Sequence, residues 1–311
     1  MKNNYIVYRL MDFIDKIIKN KNKNTKKKFQ KSQCHPKQFT SKYKKSGSCL
    51  DKNILKDMKH IWNKRYPDNK INSCQPKLIW QSMKDKLRHT CTNEMCWIDN
   101  TIKDVNKKNL LKKRLFAPLT PKAWKTNKNE WLSSIEITNV MKQYEDTYNN
   151  FKFFGPSPID YDTIEYNNNC VWPEICNISV KKLLDAGKSN LGFVFNTDKH
   201  DEEGSHWISM FVDLNKKVIF FFDSNGLKEP RQITKLKKKI SGQCDKHCKL
   251  SMKLDTNYPF EHQRGDGQCG MYCLYFIISV LKGKHNLNYF KKKRISDTQV
   301  QKLRNVYFNN I

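Results

Sequence analysis

Residues 261–276 read EHQRGDGQCGMYCLYF, and this stretch changes character in the middle. A polar loop broken by Gly265 and Gly267 stops at Cys269. From Cys269 to Leu281 the chain is almost wholly apolar, which predicts a buried helix. A thiol in the first helical turn meets unpaired backbone N–H groups and the positive end of the helix dipole. Both favour the thiolate, the nucleophilic form. The competing reading is a small buried residue, like Cys273 four positions on. The following residue, Gly270, lets another backbone approach the thiol closely.

Upstream, three runs read as strands: LGFVFNT (191–197), HWISMFVDL (206–214) and KVIFFFDS (217–224). In the second, Ile208, Met210 and Val212 alternate with Trp207, Ser209 and Phe211. Asn215-Lys216 is a short polar link suited to a hairpin with the third run. His206 then opens one strand and Asp223 closes the next, which brings the two together. A histidine at a strand end is placed as a base, and a carboxylate beside it holds one tautomer and stabilises the cation. Taken singly, His206 also reads as a packing residue and DSNG (223–226) as a turn. Gln263 lies six residues before Cys269, so its amide is expected beside the Cys269 N–H as an oxyanion hole. Gln268 competes for that role, but a helix starting at Cys269 points it elsewhere.

Further elements complete an α+β domain. WLSSIEITNVMKQYEDTY (131–148) has helical periodicity. Residues 230–240 read as a basic helix with few apolar anchors, a solvated face or a phosphate-binding patch. Cys248–Leu254 reads as a strand. Helices are predicted over 50–63 and 76–88, from Leu50, Ile54, Leu55, Met58, Ile61 and Trp62, then Leu78, Ile79, Met83 and Leu87. The expected organisation is a basic, largely disordered segment (1–47), a helical arm (48–115) and a catalytic domain (116–311). Within the first, residues 1–18 have an amphipathic pattern, and the lysine-dense tract 19–48 lacks the apolar content to fold.

The order His-Trp (206–207), Asp (223) and Gln-x5-Cys-Gly (263–270) resembles the Ulp1/adenain clan of cysteine proteases. WLSSIEI (131–137) is similar to the WLND…I segment of SUMO proteases, whose Trp clamps a substrate Gly-Gly tail; Ser133 and Ser134 depart from it. FNTD, HWISMFVD, DSNG and HQRGDGQCG resemble, in order, the polyprotein-processing proteases of large DNA viruses, the African swine fever virus group among them. SCLDKNI (48–54) and NEMCW (93–97) extend the likeness, which covers most of residues 48–280. That group has Asn at the position of Asp223. The resemblance implies a giant-virus, mimivirus-type thiol protease with an Ulp1-like core and an N-terminal helical arm. It also implies His206, Asp223, Cys269 and Gln263 as the catalytic set, with Trp207, Trp131 and Gly270 lining the substrate cleft. The expected substrate carries a Gly-Gly-type site, either in a viral structural polyprotein or at the tail of ubiquitin or a ubiquitin-like protein. The expected location is the virion and host cytoplasm.

The chain of 311 residues carries 59 Lys+Arg against 30 Asp+Glu, a formal net charge of +29. That favours acidic partners, so non-specific DNA binding is one expectation, and a basic nucleic-acid-binding virion protein is a reading from another class. Abundant Lys, Asn and Ile also follow from an AT-rich genome. The apolar start is too short and too charged to span a bilayer, so no membrane is expected. Eleven irregularly spaced cysteines predict a reducing compartment with mostly free thiols. Cys244-x2-His247-Cys248 and His89-x-Cys91-x4-Cys96 lack a second pair at zinc-finger spacing, so neither a metal nor another cofactor is expected.

Overall fold

The computed structural model describes residues 28–39, 47–166 and 168–310. The helix expected over 1–18 and much of the lysine tract lie outside them. Two compact units emerge: one holds the described residues up to Ser32 together with 47–116, the other 33–39 with 117–310.

The first unit is helical. Asp51 caps the helix Lys52–Arg65 by accepting from the Asn53 and Ile54 N–H groups, and Pro76 opens the helix Pro76–Lys86. Ile54, Leu55, Met58 and Trp62 of the first and Ile79 and Met83 of the second are buried, whereas Leu78 is exposed. Glu94 is buried because its carboxylate accepts from the Cys49 N–H and the Trp80 indole.

The second unit is built on one mixed sheet in the order β1-β2-β3-β4-β5. The strands are β1 (Phe151–Ser157), β2 (Asn190–Asn196), β3 (Trp207–Asp213), β4 (Val218–Phe222) and β5 (Lys253–Thr256). The outer pairs, β1–β2 and β4–β5, are parallel; β2–β3–β4 is an antiparallel meander. The alternation of the sequence separates two cores. Trp207, Phe211, Phe220 and Phe222 pack under the central helix Cys269–Leu281 and the helix Ser134–Thr147. Ile208, Met210, Val212, Ile219 and Phe221 pack against the helix Arg231–Cys248 on the other face. Each buried Phe or Ile contributes roughly 1.5–3 kcal/mol, so a one-residue slip of β3 would exchange both sets and is strongly disfavoured.

Several expectations need correction. The helix Arg231–Cys248 has four anchors, Ile233, Leu236, Ile240 and Cys244, spaced so that one stripe meets the sheet. It also runs through Cys248 and ends at left-handed Lys249, with the Leu250 N–H donating to the Cys244 carbonyl, so β5 starts only at Lys253. β1 went unrecognised because Gly155-Pro156 reads as a breaker. As an edge strand it tolerates the proline, with a register shift between Phe154 and Ser157. Gly155 has φ +97°, and a Cβ there would sit 2.5 Å from the Val194 carbonyl oxygen.

Within the tract expected to be disordered, residues 33–39 are placed. Cys34 and His35 are buried, and Asn309 brackets Gln33 by accepting from its N–H and donating to its carbonyl. The expectation of mostly free thiols also fails. Among the described residues six cysteines are disulfide-bonded: Cys34, Cys49 and the pairs Cys91–Cys96 and Cys170–Cys176, whose Cα atoms are held 5.4 and 6.3 Å apart by local turns. Cys74, Cys269 and Cys273 carry free thiols.

Candidate active site

Cys269 is the first residue of the central helix and is 2% exposed. Gln268 precedes it as N-cap without a side-chain cap, so the first-turn N–H groups keep their polarity for the space in front of the helix. Gly267 sets the approach. Its φ is +84°, and a Cβ would meet the Asn129 carbonyl oxygen at 2.5 Å and the Trp131 ring at 3.1 Å.

His206 and Asp223 come together at the sheet end. The β3–β4 ladder stops at Ser209–Phe222 while β3 stays paired with β2 as far as Trp207, so His206 and Asp223 each lie just past a strand end. His206 Nε2 lies 2.7 Å from Asp223 Oδ1. Cys269 lies close enough to the same imidazole to raise its pKa. With Nε2 committed to the carboxylate, Nδ1 is the nitrogen left for sulfur. Burial pulls the His206 pKa down, but the Asp223 hydrogen bond, the nearby Cys269 and the charges of both outweigh it, and the value is pushed up to about 9. The imidazole is therefore a cation at neutral pH. Burial drives the pKa of Cys273, one helical turn deeper, well up, as for an inert core thiol.

Asp223 is held by residues that sequence reasoning missed. Its carboxylate accepts from the Asn225 N–H at 2.9 Å. Asn257 brackets its backbone, accepting from the Asp223 N–H at 2.9 Å and donating to the Asp223 carbonyl at 2.7 Å. Ser224 fixes the segment that follows: its hydroxyl donates to Gln263 Oε1 at 3.0 Å, and its carbonyl accepts from the His262 and Gln263 N–H groups. DSNG is thus both a turn and a dock for the segment leading to Cys269. No sequence signal marked Asn257 in a chain so rich in asparagine.

Gln263 is buried, and its amide nitrogen donates to the Gly265 carbonyl at 2.7 Å, leaving a second N–H on the same nitrogen. Gln268 is also buried, with no hydrogen-bond partner for its Oε1 among the described residues. Trp131 is 41% exposed beside Gly267, while Trp207 is buried and its indole donates to the Leu132 carbonyl at 2.8 Å. Gly270, expected to admit substrate backbone, is buried; the room its missing side chain leaves is filled by Leu132 and Trp207, 3.0 and 3.3 Å from a Cβ placed there. Ser133, a departure from the WLND pattern, caps the following helix in a capping box with Glu136. Of the two Cys/His clusters in the sequence, one contains the Cys91–Cys96 disulfide, which removes both sulfurs as ligands.

Residues 191–311 match the model of the Ulp1 protease family, C-terminal catalytic domain. The chain is 28% identical over 299 residues to a protein of Acanthamoeba polyphaga mimivirus named as a thiol protease, covering 89% of this chain and 93% of that one. It is 26% identical over 271 residues to the SUMO-1 cysteine protease of African swine fever virus, covering 80% and 93%. The crystal structure of the African swine fever virus protease has a TM-score of 0.64 at 21% identity, over 91% of this chain and 97% of that one, which shows a shared fold.

Proposed function

We propose that in this cysteine protease Cys269 is the nucleophile, His206 the acid–base and Asp223 the group that orients His206. The observation that carries this reading is the 2.7 Å His206–Asp223 hydrogen bond at the mouth of the sheet, with Cys269 at the start of the buried helix near enough to raise the His206 pKa. Cys269 Sγ attacks the scissile carbonyl carbon, opening its π bond to an oxyanion. The Cys269 N–H and the spare Gln263 N–H stabilise that oxygen. The oxyanion collapses, the C–N bond breaks, and the His206 cation gives its proton to the leaving amine. Water then attacks the thioester; neutral His206 takes its proton, and the thiolate leaves.

The substrate is a polypeptide with a Gly-Gly-type site. Exposed Trp131 beside Gly267 supports a cleft that admits only a glycine tail, as does the SUMO-1 protease name of the relatives. Maturation of viral structural polyproteins is the first reading, supported by the resemblance of HWISMFVD, DSNG and HQRGDGQCG to polyprotein-processing viral proteases; deconjugation of ubiquitin or a ubiquitin-like protein is the second, supported by the SUMO-1 cysteine protease among the relatives. The net charge of +29 supports non-specific retention on packaged DNA, which would disappear with rising salt. Hydrolysis of a Gly-Gly-X peptide panel tests the chemistry: wild type is expected to cut and Cys269→Ala not to, and cleavage by the variant would exclude Cys269. An electrophilic ubiquitin probe separates the substrates. Labelling of Cys269 without cleavage of polyprotein sequences would favour deconjugation.

A further inference from the structure

Ser224 stands between the two halves of the site. It follows Asp223, whose carboxylate holds His206, and its own hydroxyl donates to Gln263 Oε1 at 3.0 Å. Both side chains are buried, Ser224 at 1% and Gln263 at 7% exposure. The other end of the amide is held as well: Nε2 donates to the Gly265 carbonyl at 2.7 Å. A carbonyl can only accept, so Gly265 decides which end of the amide is nitrogen. A flipped amide would set two oxygens 2.7 Å apart. Oε1 then faces Ser224, whose hydroxyl is its one donor among the described residues. The main chain is tied at the same place, because the Ser224 carbonyl accepts from the His262 and Gln263 N–H groups at 2.8 Å each. One residue therefore grips Gln263 by backbone and by side chain.

An amide whose oxygen and one N–H are both committed has lost its freedom to turn, so the N–H that remains has a fixed direction. We propose that Ser224 is a positioning residue for the oxyanion hole: its hydroxyl locks the Gln263 amide so that the remaining N–H serves the oxygen of the scissile carbonyl. The proposal rests on the reading of Gln263 as an oxyanion donor. A hydroxyl bound to the amide oxygen also polarises the N–H, but such chains strengthen a bond by only roughly 10–30%. Orientation is therefore the larger part of the effect. Two adjacent residues then divide the reaction between them. Asp223 serves the group that moves the proton, and Ser224 serves the charge that develops on the substrate.

Ser224→Ala tests this, because it removes the hydroxyl and keeps the backbone carbonyl that holds His262 and Gln263. On a Gly-Gly-X peptide, kcat is expected to fall about tenfold with KM nearly unchanged, less than the roughly 10²–10³ expected for Gln263→Ala. The double variant Ser224→Ala/Gln263→Ala is expected to match Gln263→Ala alone, since the hydroxyl then has no amide to hold. Alkylation of Cys269 by iodoacetamide is the control. Sulfur displaces iodide in that reaction and no oxyanion forms, so Ser224→Ala is expected to react at the wild-type rate. A wild-type kcat in Ser224→Ala would overturn the proposal, as would a loss that persists in the Gln263→Ala background. Alkylation slowed as much as hydrolysis would also overturn it, and would shift the role of Ser224 to the Asp223–His206 pair. Wild-type activity in Gln263→Ala would remove the oxyanion reading itself, and this proposal with it.

Discussion

The two sides of Cys269 are held in opposite ways. On the sheet side, Asp223–Gly226 and Asn257–Gln263 are stitched by buried hydrogen bonds: Asn257 to the Asp223 backbone, Ser224 to Gln263, and the Ser224 carbonyl to two N–H groups. On the loop side, Arg264–Asp266 is exposed, only Gly267 is buried, and the ties are few. Asp297 Oδ2 accepts from the Arg264 and Gly265 N–H groups at 3.2 Å, and Arg304 reaches the Gly267 carbonyl. The difference teaches where each task sits. Groups that move protons need fixed geometry and are built on strand ends; the wall that admits a chain is hung on distant C-terminal helices and can give.

That contrast can be broken most forcefully at His206. His206→Ala removes the proton carrier from the rigid side and is expected to lower kcat by about 10³–10⁴, read from Gly-Gly-X hydrolysis, with the melting temperature nearly unchanged. Asp223→Asn keeps a hydrogen-bonding oxygen but removes the charge that raises the His206 pKa, so a smaller loss of about tenfold is expected. Its diagnostic is the pH profile. In wild type the leaving amine needs protonated His206, so activity is expected to fall as pH rises through about 9. In Asp223→Asn that limb should move to lower pH.

Stability carries the same sign. The His206 pKa is raised in the folded protein, so its contribution is present in full below about 6.5 and is lost as pH rises through about 9. Denaturant midpoints across that window check it. Asn257→Ala tests the rigid side without touching the reacting groups: it strips two buried backbone hydrogen bonds and should cost about 1–3 kcal/mol, read by urea unfolding. On the loop side, Asp297→Asn should cost less than about 1 kcal/mol. It should instead speed proteolytic cutting at 264–267, because the loop has so few other ties.

The rigid side was largely legible in the sequence, and the yielding side was not. Period-two alternation in β3 and the apolar run from Cys269 are dictated by burial on both faces of the sheet, so residue types reveal them directly. The His206–Asp223 pair follows from hairpin arithmetic once the strands are assigned. Asn257 and Arg304 act through backbone carbonyls and N–H groups far away in sequence, and nothing in their own neighbourhood announces it. Ser296 and Gln299, which form a capping box in the structure, did carry a local signal for the helix that presents Asp297. Gly270 was misjudged for a related reason: a glycine after a nucleophile tells of close approach, but not of which neighbour approaches. Here Leu132 and Trp207 fill the space.

The central claim is that Cys269, and no other thiol, meets a glycine-ended chain at this seam. Intact-mass measurement and peptide mapping after incubation with a Gly-Gly peptide bearing a C-terminal electrophile tests it most directly. The account predicts one adduct, on Cys269, formed by wild type and absent from Cys269→Ala. An adduct on exposed Cys74, or equal labelling of the wild type and the Cys269→Ala variant, would contradict it.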